Sequence, residues 1–146
     1  MSKTALLISI RPRFADLIFN DQKHVELRRR RPRVGRGDLV FVYVSSPIKA
    51  LIGAFEIGEV IEKSPGMLWR KLGEQTGLTR MEFNDYFKEK TIGFGLIIAR
   101  SWRLPAPVKL SSLRKRRAGF HPPQAYHYFP LTELNRLGGL TEDSAR

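Results

Sequence analysis

Residues 23–36 read Lys23-His24-Val25-Glu26-Leu27-Arg28-Arg29-Arg30-Arg31-Pro32-Arg33-Val34-Gly35-Arg36. Two signals meet in this stretch. The first half alternates as a strand over Lys23–Arg28, with Val25 and Leu27 turned inward and His24, Glu26 and Arg28 outward. The second half places six arginines (Arg28 to Arg31, Arg33 and Arg36) within nine residues. Pro32, Gly35 and Gly37 punctuate that run into a projecting loop. A charged strand face therefore leads directly into a cationic loop that can hold a polyanion.

Working outward, Ala5–Ile10 is a compact β-type run, and Pro12 fits the first position of a helix carrying Phe14, Leu17 and Ile18 to Asn20. Beyond the arginines, Leu39–Val44 is a continuous apolar strand that predicts burial on both faces, ended by Ser45-Ser46-Pro47. A second strand spans Leu51–Ile61, where Gly53 and Gly58 suggest bends or bulges. Ser64-Pro65 opens a helix with Leu68, Trp69 and Leu72, and Thr79-x-x-Glu82 is a capping box before Phe83, Tyr86 and Phe87. The β pattern returns over Thr91–Trp102 and stops before Pro105 and Pro107. Ser111-Ser112 is expected to cap one basic turn, and one short extended piece follows near Tyr126.

This order predicts an α+β fold, a small mixed or antiparallel β-barrel with helices packed on its outside. A single domain is expected over 1–137, with 138–146 a frayed tail. There is no internal repeat and no low-complexity linker.

Composition narrows the function. The 146 residues carry a formal charge of +12, which attracts phosphate polymers and repels basic partners. Between Lys90 and Thr132 there is no acid, while Arg100, Arg103, Lys109, Arg114, Lys115, Arg116 and Arg117 all fall there. Two basic blocks distant in sequence thus supply most of the excess, and a fold that joined them would present one positive face. No apolar stretch approaches membrane-spanning length, and the N-terminus reads as a strand and not a secretory leader. With no cysteine and three scattered histidines, neither disulfides nor a dedicated metal site is expected, and no cofactor is implied. A reducing, cytoplasmic setting fits this composition.

Several short motifs recur in a fixed order: Ser9-Ile10-Arg11-Pro12, Lys23-x-x-Glu26-x-Arg28, Gly37-Asp38-Leu39-Val40, Tyr43-x-Ser45-Ser46-Pro47, Gly53-x-Phe55-Glu56 and Pro122-Pro123-Gln124-x-Tyr126. Together they resemble the ASCH (activating signal cointegrator homology) family, a branch of the PUA-like β-barrel superfamily, from Leu6 to Tyr128. One position departs: the family's usual glycine two residues before the lysine is Asp21 here. The resemblance implies a pocketed domain that interacts with RNA or DNA, with hydrolase or nuclease activity in some members. It extends to small proteins similar to bacterial N4-acetylcytidine amidohydrolases, which use the motif's lysine, a threonine three residues on, and a glutamate in a helical insert. Here Lys23 fills the first position, Glu26 stands at the second, and the third falls near Thr76, with Glu74 two residues away. The threonine hydroxyl of that pattern is thus missing here, and the resemblance leaves open a swapped arrangement, with Glu26 as base and Thr76 as hydroxyl.

Lys23, Glu26 and Arg28 are the leading candidates for a nucleotide pocket. Two cations suit phosphate, and a carboxylate suits base amino groups or a departing proton. Lys23 sits three positions before Glu26, so it must reach the shared cleft from a turn. The plainer alternative is a salt-bridge ladder on a strand. The expected function is RNA binding, with DNA as the alternative polymer and a small nucleoside as a further ligand. The enzymatic alternatives are a metal-independent ribonuclease, with Glu26 or His24 as base and Lys23 or Arg28 on the phosphate, and the amidohydrolase. Arg28, Arg29, Arg30, Arg31, Arg33 and Arg36, with Arg114, Lys115, Arg116 and Arg117, are the expected phosphate contacts. Ser45 and Ser46 are candidates to cradle a phosphate or base edge, and Tyr126 (with Tyr128) to stack on a base. Tyr43, Trp69 and Phe94 read as core, and Glu56 as a rim residue.

Overall fold

The computed structural model describes residues 3–140. Leu6, Ile8 and Ile10 alternate with Ala5 and Leu7 along β1 (Thr4–Ile10), so the strand buries apolar side chains on both faces. Pro12 starts α1 (Pro12–Phe19), which turns Ala15 and Ile18 inward and ends at Asn20. Asp21 then adopts φ 61, a left-handed conformation that Asp tolerates better than most residues. Next come β2 (Val25–Arg28), β3 (Leu39–Val44) and the long β4 (Ala50–Lys63).

A helical insert follows, with α2 (Pro65–Leu72), a 3-10 turn over Gly73–Gln75 and α3 (Arg80–Tyr86). Both expected caps are present: Ser64 Oγ accepts from Met67 N–H, and Thr79 and Glu82 form the reciprocal capping box. The chain closes with β5 (Gly93–Lys109), α4 (Leu110–Arg116), β6 (Tyr126–Pro130) and α5 (Leu131–Leu137).

The six strands form one sheet in the order β2-β5-β4-β3-β1-β6. Only β1 and β3 pair in parallel, and every other pair is antiparallel. The α+β class and the mixed sheet match the sequence reading. The barrel does not close: among the described residues no backbone ladder joins the edge strands β2 and β6. The cationic loop after β2 spans that gap instead, with Arg33 N–H donating to Tyr128 Oη on β6 at 2.7 Å. Register shifts near Ile52 and around Ile57 and Gly58 bend β4, as its glycines suggested.

Three apolar clusters hold the fold. Leu7, Phe41, Tyr43 and Leu51 face α4 and α5, meeting Leu113, Leu134 and Leu137. Leu6, Ile8, Val42, Phe55 and Ile57 pack on the other side with Ala15 and Ile18 of α1. Val25 and Leu27 of β2 meet Leu68, Leu72, Phe83 and Phe87 of the insert. Gly93 makes that third contact feasible, since a Cβ there would lie 2.5 Å from the Phe87 ring and 2.8 Å from Leu68.

Two further expectations need correction. β5 runs through Pro105 and Pro107, because residues 104–107 bulge out opposite Ile52 and need donate no ladder bonds. The helix carrying the second basic block begins at Leu110, with Lys109 and not Ser111-Ser112 at its N-cap, where Leu110 N–H donates to Lys49 C=O. Helix α5 went unanticipated, although Leu131, Leu134 and Leu137 mark its spacing. Of the expected tail, Gly138–Leu140 bond back onto α5 and 141–146 lie outside the described residues.

Candidate functional site

The turn between α1 and β2 fixes the key lysine. Lys23 N–H donates to Leu17 C=O at 2.9 Å, at the end of α1, and the next residue's N–H donates to Gln75 C=O in the insert. The chain is therefore not yet a strand at Lys23, and the two-residue alternation that would have turned it away does not apply. Its side chain runs beneath Gly77 (φ 76), where any Cβ would press on Leu17 at 2.9 Å and close on the lysine stem. The ammonium donates to Thr76 C=O, lies 3.6 Å from Glu26 Oε1 and sits 5.5 Å from the centre of the Phe14 ring. Lys23 is only 3% exposed, and this burial pushes its pKa below the ordinary lysine value, with the Glu26 charge opposing.

On β2, Glu26 and Arg28 share one strand face. Arg28 Nη2 donates to Glu26 Oε2 at 3.0 Å, so the carboxylate holds a cation on each oxygen. Both side chains are largely buried, and Arg28 Nε has no hydrogen-bond partner among the described residues. Two cations against one anion leave this cluster with a net positive charge. A buried guanidinium N–H without a protein partner is a donor that an oxyanion could satisfy.

These groups line a cleft of about 530 Å³. Ser9, Ile10 and Arg11 come from the end of β1, Phe14 from α1, Glu26, Leu27 and Arg28 from β2, and Leu78, Glu82, Asp85 and Tyr86 from the insert. Ser9 Oγ donates to Pro123 C=O, and Tyr86 Oη donates to Leu27 C=O, so each is committed to the frame. Across the mouth Arg13 grips Glu82 through two bonds of 2.8 and 3.0 Å. Chiefly through that bond, the Glu82 carboxyl is held down at about 2.

The remaining candidates divide. Arg29 stacks over Tyr86 at 4.8 Å, and Arg33 over Tyr128 at 4.8 Å, so the loop runs from the cleft wall to β6. Arg30, Arg31 and Arg36 are exposed, with no ion pair found for them among the described residues. Tyr126 packs edge-on to Tyr128 on β6. By contrast, Arg114 donates to Phe120 C=O, Arg116 to Leu137 C=O and Arg117 to Glu133, which staple α4 to its surroundings. None of them, nor Lys115, lines the cleft. The two basic blocks thus do not share it.

His24 is also outside the lining, its ring 3.0 Å from the Asp21 carboxylate. Thr76 is buried, and its hydroxyl donates to Gly73 C=O and accepts from Leu78 N–H. Its carbonyl, not its hydroxyl, reaches Lys23. Ser45 and Ser46 form the turn after β3 and lie outside the lining. Glu56 pairs with Arg100 at 3.0 Å, away from the cleft. Sequence reading did not single out Arg11, Phe14, Asp85 or Tyr86 as site residues. The usable signal was the three-residue spacing of Glu82 and Asp85, which puts both on one helix face. Among the described residues no cluster of three His, Asp or Glu side chains is spaced to hold a metal ion, and no helix is long and apolar enough to cross a membrane.

A profile of the ASCH domain matches residues 8–98, which takes in the whole cleft lining but not α4 or β6. Over 137 residues the chain is 31% identical to an ASCH domain-containing ribonuclease of Zymomonas mobilis, covering 92% of this chain and 90% of that protein. The crystal structure of ASCH from Zymomonas mobilis superposes with a TM-score of 0.87 at 28% identity, over 94% of this chain and 96% of that one. The N-terminal domain of Staphylothermus marinus McrB shares the fold, with a TM-score of 0.57 at 13% identity over 92% and 91% of the two chains.

Proposed function

This chain belongs to the ASCH domain family, and from that premise we propose that it is an RNA-binding protein that cleaves single-stranded RNA in the cleft around Lys23, Glu26 and Arg28. The observation that carries the reading is the buried Lys23–Glu26–Arg28 cluster, in which a carboxylate and two cations converge on one cleft. The resemblance to a protein named as a ribonuclease over nearly the whole chain supports the choice of reaction.

The chemistry needs no group beyond these three. Glu26 takes the proton of the ribose 2′-hydroxyl, and the resulting oxygen attacks the adjacent phosphorus. Arg28 and Lys23 face the charge that grows on the equatorial oxygens. As the bond from phosphorus to the 5′-oxygen breaks, Lys23 gives its proton to the leaving oxygen. The products are a 2′,3′-cyclic phosphate and a 5′-hydroxyl, with no water consumed. The proton gained by Glu26 equals the one lost by Lys23, and their 3.6 Å separation lets one restore the other. Lysine's lowered pKa eases that donation.

The experiment is incubation of the pure protein with end-labelled single-stranded RNA in EDTA. Because Lys23 and Arg28 supply the positive charge, cleavage is expected to persist and to leave 2′,3′-cyclic phosphate ends. Loss of cleavage on adding EDTA, or 5′-phosphate products, would contradict the mechanism.

A further inference from the structure

A buried hydroxyl is tolerated where its hydrogen bonds are made, and Thr76, at 0% exposure, both donates and accepts. Its Oγ1 donates to Gly73 C=O at 2.8 Å and accepts from Leu78 N–H at 3.2 Å. Its own N–H also donates to Gly73 C=O, at 3.3 Å. These three bonds tie residues 73–78 into one turn, with the threonine side chain standing in for a further backbone donor and acceptor. The Thr76 carbonyl is left over, and it accepts from Lys23 Nζ. The peptide before it is pinned as well, since His24 N–H donates to Gln75 C=O at 2.9 Å.

An ammonium carries three N–H bonds, and their directions are fixed only by the acceptors around them. Lys23 Nζ has two such acceptors, Thr76 C=O and the Glu26 carboxylate at 3.6 Å. With one N–H on Thr76 and another turned to Glu26, the third is left for the cleft that Lys23 lines. We infer that Thr76 is a positioning residue for Lys23, its hydroxyl locking the turn whose carbonyl aims the ammonium at the leaving oxygen of RNA. The inference rests on the RNA-cleavage reading, in which Lys23 gives that oxygen its proton. Thr76 acts through the lysine and touches no reacting atom.

The test compares Thr76→Val with Thr76→Ser. Valine has nearly the same shape but no hydroxyl, so Leu78 N–H and Gly73 C=O each lose a partner and the turn is released. Thr76→Val is expected to lower kcat roughly 10- to 100-fold, on the scale of misplacing a reacting group by about 1 Å, with KM little changed. Thr76→Ser keeps the hydroxyl and is expected to recover most of that rate. Loss of the Lys23 proton at high pH gives the rate an alkaline limb, which general loosening elsewhere in the fold does not move. Burial is the chief cause of the lowered Lys23 pKa. A turn lifted from the ammonium therefore shifts the limb to higher pH in Thr76→Val and not in Thr76→Ser. Gly77→Ala carries the same test by a second route where Thr76→Val does not fold. Its φ of 76 disfavours a side chain, and a Cβ there would lie 2.9 Å from Leu17. Wild-type kcat in Thr76→Val, a lower kcat with an unmoved limb, or an equal loss in Thr76→Ser would overturn the positioning role while leaving RNA cleavage intact. Where wild-type protein cleaves no RNA, the cleavage reading fails. The hold of the turn on Lys23 is then judged alone, by NMR titration of the Lys23 Cε signal. A raised pKa in Thr76→Val and not in Thr76→Ser is the expected result, and the same pKa in all three proteins would overturn it.

Discussion

Glu26→Gln is expected to slow RNA cleavage by about 10²- to 10⁴-fold, the range that a positioned general base contributes, while RNA affinity holds or rises. Glutamine keeps the size of the side chain and still offers an oxygen to Arg28 or Lys23, so the cluster loses its base without losing its packing. Removing one negative charge beside two cations also makes the cleft more attractive to phosphate. Single-turnover rates and anisotropy on the same labelled RNA separate these effects. A variant that loses binding and cleavage in parallel would show that Glu26 is a structural partner of Lys23 and Arg28 and nothing more.

Lys23→Arg gives a complementary reading. Arginine keeps the charge but does not release a proton. Burial lowers the Lys23 pKa from its ordinary 10.5, so the wild-type rate is expected to fall on an alkaline limb that begins below that value. That limb is expected to vanish in Lys23→Arg. The stability linkage has the sign set by the same shift. Folding disfavours the lysine proton, so stability from this group rises as pH climbs from the lowered pKa towards 10.5.

The second large effect concerns the loop after β2. Replacing Arg30, Arg31, Arg33 and Arg36 together by alanine is expected to flatten the slope of log affinity against log salt by about 3, at roughly 0.7 for each phosphate of a single strand that is no longer neutralised. Arg30, Arg31 and Arg36 are exposed, with no ion pair found for them among the described residues, and Arg33 lies on Tyr128 at the surface. The rate at saturating RNA is expected to change far less than the affinity, because none of the four lines the cleft. The basic helix α4 behaves differently in this account. Arg114, Arg116 and Arg117 are spent on Phe120, Leu137 and Glu133. Replacing Lys115 is therefore expected to shift the slope by less than one. A slope that depends on α4 and not on the β2 loop would reverse the assignment of the two basic blocks.

Sequence legibility tracked how local each signal was. Strand β1 showed as a compact β-type run and β3 as an unbroken apolar one, and α1, α2 and α3 declared themselves through Pro12, Ser64-Pro65 and the Thr79–Glu82 box. Pro105 and Pro107 misled because a proline stops a strand only where its missing N–H is needed, and the bulge opposite Ile52 removes that need. Closure of the sheet could not be read at all. It depends on whether β2 and β6 meet, and these strands lie about 100 residues apart in the chain.

The site divides in the same way. Lys23, Glu26 and Arg28 are neighbours in sequence and were legible as a motif. Their convergence depends on the turn geometry at Asp21 and the support of Gln75 and Thr76, which no alternation pattern contains. Asp85 and Tyr86 were hidden because they reach the cleft from an insert some 60 residues away, brought there by packing of Phe83 and Phe87 on Leu27. Thr76 entered through the family resemblance, as a hydroxyl; its carbonyl reaches Lys23, while its hydroxyl bonds to Gly73 and Leu78.

The central claim is that RNA is held and cut between Lys23, Glu26 and Arg28. A crystal structure of Glu26→Gln bound to a short single-stranded RNA tests it most directly. The expected result is one phosphate within hydrogen-bonding distance of Lys23 Nζ and Arg28 Nε, its ribose 2′-hydroxyl against residue 26, and the flanking strand over the Arg29–Arg36 loop. RNA seated on α4 or on the outer face of β5, with the cleft empty, would contradict it.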